Sequence, residues 1–171
     1  MELYIIKKSN IDKRGLYASK NIKKDTKIIE YVGKIISKRK SDESSKFDNK
    51  RDIYLFNLNN KYDLDGDFKF NTARLINHSC DPNCEVTGIG LRLWISALRN
   101  IKKGEELSYD YGFSYDKDYK QFPCKCGKNN CVGYIVRSGS RWRINKKFKK
   151  QMKQMQTHDE TNATTNETTA K

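Results

Sequence analysis

Three cysteines within eight residues, Cys124-Lys-Cys126-Gly-Lys-Asn-Asn-Cys131, constrain this chain more than any other feature. The loop around them is built of Gly, Asn and Lys, so it has almost no apolar surface to bury and needs another source of order. A C-x-C-x4-C cluster of thiolates suits a tetrahedral zinc site and lacks one ligand. The candidates for the fourth position are Cys80, Cys84, His78 and His158, the last in a tail-like segment. The opening residues Met1 to Lys8 carry too short an apolar stretch for a secretory signal. A reducing, intracellular location is therefore expected, where cysteines are free or metal-bound rather than paired as disulfides.

The rest of the composition fits one compact domain with a basic appendage. The chain has 171 residues, 11% of them aromatic, and a net charge of +14. No run of about 18 apolar residues is present, so no membrane partner is expected. The charge is uneven. Residues 119–158 hold 11 basic side chains and no acidic one, whereas residues 1–118 hold 23 basic and 18 acidic. A one-signed stretch of this kind favours an acidic partner, so a nucleic-acid contact is one expectation and a solvated surface the other.

Short β-rich runs recur at Leu3–Ile6, Lys27–Val32, Tyr54–Leu58, Leu91–Ile95 and Glu106–Tyr111, with turn residues such as Asp65-Gly66 and Lys103-Gly104 between them. They predict a mainly β domain of small sheets. Ser37–Asn49 reads as a short surface helix opened by a serine cap, and Asn71–Ile76 as one further turn. In Arg141–Gln156 the residues Phe148, Met152 and Met155 fall on one helical stripe. Thr157–Lys171 is Thr/Asn/Glu-rich and reads as a disordered tail.

Two segments carry the chemistry: Arg74-Leu-Ile-Asn77-His78-Ser-Cys80-Asp-Pro-Asn83, and Gly104-Glu-Glu-Leu-Ser-Tyr109-Asp-Tyr111. With Lys13-Arg14-Gly15-Leu-Tyr-Ala18, Glu30-Tyr-Val-Gly33 and the cysteine cluster, they stand in the order found in SET-domain protein lysine methyltransferases with a zinc-binding post-SET segment. The chain resembles that family over roughly residues 3–135. It departs at Lys13 and Phe70, where the family often has Gly, at Leu75, where it has Phe, and at Lys125, where it often has Asn.

The resemblance implies a SET fold of small twisted sheets around a knot-like crossing, with short helices. The SET domain would span 1–118 and the zinc loop 119–136. A basic, helical extension would follow over 137–156, then the tail over 157–171. It implies S-adenosylmethionine held by Lys13, Arg14, Gly15, Tyr54, Asn77 and His78, with zinc on Cys80, Cys124, Cys126 and Cys131. Tyr111 would be the catalytic tyrosine. Tyr109 would limit the room for added methyl groups, which points to monomethylation, and Tyr54 would line the channel with Phe113. The implied partner is a protein presenting an extended lysine-containing segment, most often a histone tail. The implied place is the nucleus or chromosome for a eukaryotic or secreted-effector protein, and the cytoplasm otherwise. Two rival readings are a basic zinc module that binds nucleic acid without chemistry, and a SET-fold protein that has lost turnover. Cofactor binding and methyl transfer separate them.

Overall fold

The computed structural model describes residues 2–47 and 54–146. Among these residues, ten short strands form four small sheets. β1 (Tyr4–Lys8) and β2 (Arg14–Ala18) form an antiparallel hairpin, with Leu16 facing Ile6. β3 (Lys27–Tyr31), β9 (Arg92–Ala97) and β8 (Cys84–Ile89) form an antiparallel sheet in the order β3-β9-β8. β4 (Lys34–Ser37), β6 (Tyr62–Asp65) and β5 (Leu55–Asn57) form another, in the order β4-β6-β5. β7 (Asn77–His78) and β10 (Ser108–Tyr109) pair in parallel, Ser108 opposite Asn77 and Tyr109 opposite His78.

The predicted β-rich runs coincide with strands, and the Glu106–Tyr111 run shortens to β10. The predicted Ser37–Asn49 helix is only α1 (Lys38–Asp42) followed by a 3-10 turn at Ser45–Phe47. Ser37 caps α1 by accepting the Lys40 amide. The predicted turn near Asn71 is a 3-10 turn over Thr72–Leu75. Of the basic extension, Ser138–Arg143 is a 3-10 helix. Phe148, Met152, Met155 and the Thr157–Lys171 tail lie outside the described residues.

The core gathers one residue or a few from each sheet: Leu16, Ile22, Tyr31, Leu64, Ile76, Ile95, Ile101, Leu107 and Tyr109 are buried. Gly66 shows how closely the sheets approach, because a Cβ there would overlap the Tyr31 ring. The stretch before β10 runs along β2. Ala18 donates to Glu105 O at 2.9 Å, Leu107 donates to Leu16 O at 2.7 Å, and Tyr17 bridges Glu106. Immediately afterwards the chain pairs with β7. Segments about 90 residues apart are thus joined at one crossing, where polar residues of both motifs are buried. Among the described residues, no helix is long and apolar enough to cross a membrane.

Candidate active site

Asn77 lies at the centre of the crossing and is buried. Its Nδ2 donates to Ser9 Oγ at 3.0 Å, Arg14 O at 3.2 Å, Glu106 Oε1 at 2.9 Å and, at 3.4 Å, Asp12 O. Glu106 completes the cluster by accepting Ser9 Oγ–H on Oε1 and the Tyr17 hydroxyl on Oε2. Gly15 sits against this cluster so tightly that a Cβ would overlap Glu106 Oε1 and approach Asn77 Nδ2 to 3.3 Å. Two residues earlier, Lys13 adopts φ = 40°. A side chain is disfavoured there, which gives a physical reason for glycine at that position and makes the lysine a strained choice.

His78 joins the other half of the site. Its Nδ1 accepts the Tyr111 amide at 3.1 Å, and its Nε2 lies 3.5 Å from Cys80 Sγ. Tyr111 donates its hydroxyl proton to Ile76 O at 3.0 Å. Burial pushes the Tyr111 hydroxyl well above the ordinary tyrosine range, and burial does the same at Tyr109. Both hydroxyls therefore stay protonated in physiological solution. Because the Tyr111 proton is already committed to a carbonyl, what this hydroxyl offers is an acceptor oxygen.

Tyr111 lines two cavities. One, of about 200 Å³, is bounded by Asp12, Asn77, His78, Tyr111, Phe122 and Cys124, among others. The second, of about 370 Å³, is bounded by Leu55–Asn57, Tyr109 and the run from Tyr111 to Ser114. The rings of Tyr109 and Tyr111 stand 4.8 Å apart, and Phe113 follows 6.1 Å from Tyr111. Tyr54, expected in the channel wall, is not among the residues lining either cavity. Its ring lies beneath the Arg74 guanidinium at 5.8 Å, and it stands near enough to Tyr109 and Tyr111 to help raise both of their hydroxyls. In the first cavity Ile11 and Asp12 form the lining from the early loop, while Arg14 and Gly15 act from behind through Asn77.

The four sulfurs of Cys80, Cys124, Cys126 and Cys131 all lie within 4.8 Å of one another. Tetrahedral zinc–thiolate bonds of about 2.3 Å require sulfurs roughly 3.8 Å apart, and Cys80 and Cys124 stand at 3.9 Å. The cluster also has the donors thiolates need: the Cys80 amide points to Cys126 Sγ at 3.5 Å and the Gly133 amide to Cys131 Sγ at 3.3 Å. The Cys80 contact holds Cys124 well below the usual thiol range, and the same contact, with burial, pushes the Cys80 thiol up. Cys84 is elsewhere, in β8, and burial pushes its thiol up to about 12. His158 lies outside the described residues.

One residue escaped the sequence reading altogether. Arg141, part of the long basic stretch, is buried. Its Nε donates to Val136 O at 2.9 Å, Nη1 to Cys80 O at 2.6 Å and Nη2 to Asp110 Oδ2 at 2.8 Å. Asp110 also accepts the Ser138 and Gly112 amides. A single guanidinium therefore ties the C-terminal 3-10 helix to the cysteine cluster and to the residue between the two tyrosines. This charge is spent inside the fold and is not free for nucleic acid.

A family model for the SET domain matches residues 13–112, more than half of the chain. The chain belongs to the SET-domain family. Among curated relatives it is 40% identical over 130 residues to histone-lysine N-methyltransferase 2D of Homo sapiens, a match that covers 72% of this chain and 2% of that protein. It is 42% identical over 130 residues to histone-lysine N-methyltransferase trr of Drosophila melanogaster, covering 72% and 5%. It is 41% identical over 134 residues to the H3 lysine-4 specific histone-lysine N-methyltransferase of Schizosaccharomyces pombe, covering 74% and 14%. The chain thus spans a small part of the length of these relatives.

Proposed function

We propose that this protein transfers a methyl group from S-adenosylmethionine to a lysine side chain of a histone-like protein. The observation that carries the reading is Tyr111 as the shared wall of two cavities, one backed by Asn77 and His78, the other lined by the Phe56, Tyr109 and Phe113 rings. A methyl donor and an amine acceptor need such an arrangement, in which they enter separately and meet at one point. The names of the relatives support the same chemistry and make histones the leading substrate class.

The residues fit the cofactor. The cavity beside Asn77 and His78 has side-chain and main-chain polar groups facing apolar Ile11, Phe122 and Ile135. Asn77, His78 and the main chain around Lys13, Arg14 and Gly15 would hold it. When bound, S-adenosylmethionine supplies an activated methyl group on a positively charged sulfonium. The four-cysteine cluster fits zinc in a structural role, with every position filled by protein, and would fasten Phe122–Lys125 over that cavity.

The chain's own residues then do three things. The channel of Leu55, Phe56, Tyr109, Tyr111 and Phe113 strips water from the lysine ammonium, which lowers its pKa from about 10.4 and favours the neutral amine. The rings guide the aliphatic stem. The Tyr111 oxygen, its proton held by Ile76 O, accepts an N–H of the amine and turns the nitrogen lone pair towards the first cavity. Tyr111 is therefore an orienting acceptor and not a base.

Tritiated S-adenosylmethionine and purified histones test this. Label should enter a histone band and fall roughly a hundredfold in Tyr111→Phe, the scale for losing one positioned hydrogen-bonding group. No label with any histone or extract protein would overturn the reading. Tyr109, buried in the channel wall, sets a second hydroxyl-bearing ring beside Tyr111, and this second hydroxyl favours monomethyl-lysine as the chief product. Mass spectrometry should find a shift to higher methylation in Tyr109→Phe.

A further inference from the structure

Next to the aromatic channel lies a third cavity, of about 180 Å³, lined by Phe113, Ser114, Asp116, Tyr119 and Phe122. Phe113 and Ser114 belong to both, so the two openings adjoin. The walls are held in place. Phe113 and Phe122 meet edge to face at 4.8 Å, and their carbonyls accept the Arg137 and Ile135 amides at 2.9 and 2.8 Å. Tyr119 opens the 3-10 turn Tyr119–Gln121 and packs on Tyr115 at 4.8 Å and Tyr134 at 5.1 Å. Into this aromatic setting comes one charge. Asp116 Oδ1 accepts the Asp118 amide at 2.9 Å, and no Lys or Arg pairs with Asp116 among the described residues.

A carboxylate with no Lys or Arg partner among the described residues, set beside three aromatic rings, recognises a cation that also has flat or aliphatic surface. Close by, the Arg143 guanidinium lies over the ring of Tyr115, which packs on Tyr119, at 5.8 Å. The whole chain, at +14, would repel a basic substrate, so a local carboxylate at the channel mouth changes what can approach. In an extended peptide, residues one or two positions from the target lysine lie about 3.5–7 Å away, which is the reach needed to enter an adjoining cavity.

We propose that this cavity is a specificity subsite for an arginine or lysine flanking the target lysine, with Asp116 as its charge partner and Phe113, Tyr119 and Phe122 as its walls. The inference rests on the lysine methyltransferase reading and specifies its substrate: a basic peptide with a second cation within two residues of the methylated lysine.

The test is a panel of lysine peptides in which each of the four flanking positions is in turn Arg, Met or Glu, assayed with the full chain. At one position Arg should exceed Met by about tenfold in kcat/KM, mostly through KM, as expected for a partly exposed charge pair reinforced by aromatic contact. Asp116→Asn should remove most of that advantage while leaving kcat and KM for the Met peptide unchanged. Asp116→Lys should turn the preference towards Glu. Arg and Met peptides used equally at all four positions, or an Arg preference that survives intact in Asp116→Asn, would overturn the proposal. Calorimetric binding of the same peptides gives a second readout that needs no turnover. If no peptide is methylated, the methyltransferase reading fails, and equal binding of Arg and Met peptides would separately sink the subsite.

Discussion

Replacing Arg141 should destabilise this protein far more than replacing any other residue of its basic stretch. In Arg141→Met the length and apolar stem are kept, and three hydrogen bonds to three separate segments are lost. The Val136 and Cys80 carbonyls lose their charged donor. Asp110 keeps two amide donors, and its side chain is 22% exposed, so its stranded charge is partly solvated. Breaking a buried ion pair costs ~3–5 kcal/mol, and the residual solvation of Asp110 puts this one near the lower end. At roughly 2–4 °C per kcal/mol for a chain of this size, Tm should fall by about 6–12 °C. Arg141→Lys should recover part of this, because one ammonium cannot span the three acceptors. Lys146→Met, at an exposed site in the same stretch, should stay within about 0.5 kcal/mol of the parent. Thermal unfolding of zinc-loaded protein makes the comparison. A loss at Arg141→Met below about 1 kcal/mol, indistinguishable from Lys146→Met, would refute the claim that the guanidinium joins the cysteine cluster to the crossing.

Lys13→Gly should stabilise the fold by roughly 0.5–1 kcal/mol, since relief of a left-handed side chain outweighs the entropy of a new glycine; chemical denaturation midpoints will show it, and a loss of stability would contradict the strain argument. Metal analysis should find one zinc per chain, a count lowered by Cys80→Ser and unchanged by Cys84→Ser, because only the former sulfur belongs to the cluster. The rate on a lysine peptide should rise with pH as the bound ammonium loses its proton. It should not fall through pH 10, because burial raises the Tyr111 pKa and keeps the hydroxyl protonated to higher pH than a free tyrosine; a descending limb near pH 10 in protein that remains folded would argue that Tyr111 ionises normally.

The site was more legible in the sequence than the sheets around it. Asn77, His78 and Tyr111 stood in recognisable motifs, and the cluster of Cys124, Cys126 and Cys131 announced itself by spacing alone, although only the resemblance singled out Cys80 over Cys84. β2 went unread because Arg-Gly-Leu-Tyr-Ala has a glycine where a strand former is expected. That glycine is required by the closeness of Glu106 and Asn77. β6, Tyr-Asp-Leu-Asp, buries Asp63 and Asp65 and so inverts the usual pattern. Lys38 and Lys46 reach in to pair with them, a tertiary arrangement that no local window contains. Arg141 was hidden for the opposite reason. A basic residue among ten others reads as solvated surface, and nothing nearby in sequence reveals that Asp110 and the Cys80 carbonyl await it.

The central claim is that donor and acceptor occupy different cavities that meet at Tyr111. A crystal structure with S-adenosylhomocysteine and a lysine peptide tests it most directly. The account predicts the nucleoside product against Asn77, His78 and Phe122. The lysine stem should run between Tyr109 and Phe113, with its amine within hydrogen-bond reach of the Tyr111 oxygen. Both ligands in one cavity, or the lysine anywhere other than the Leu55–Ser114 channel, would contradict it.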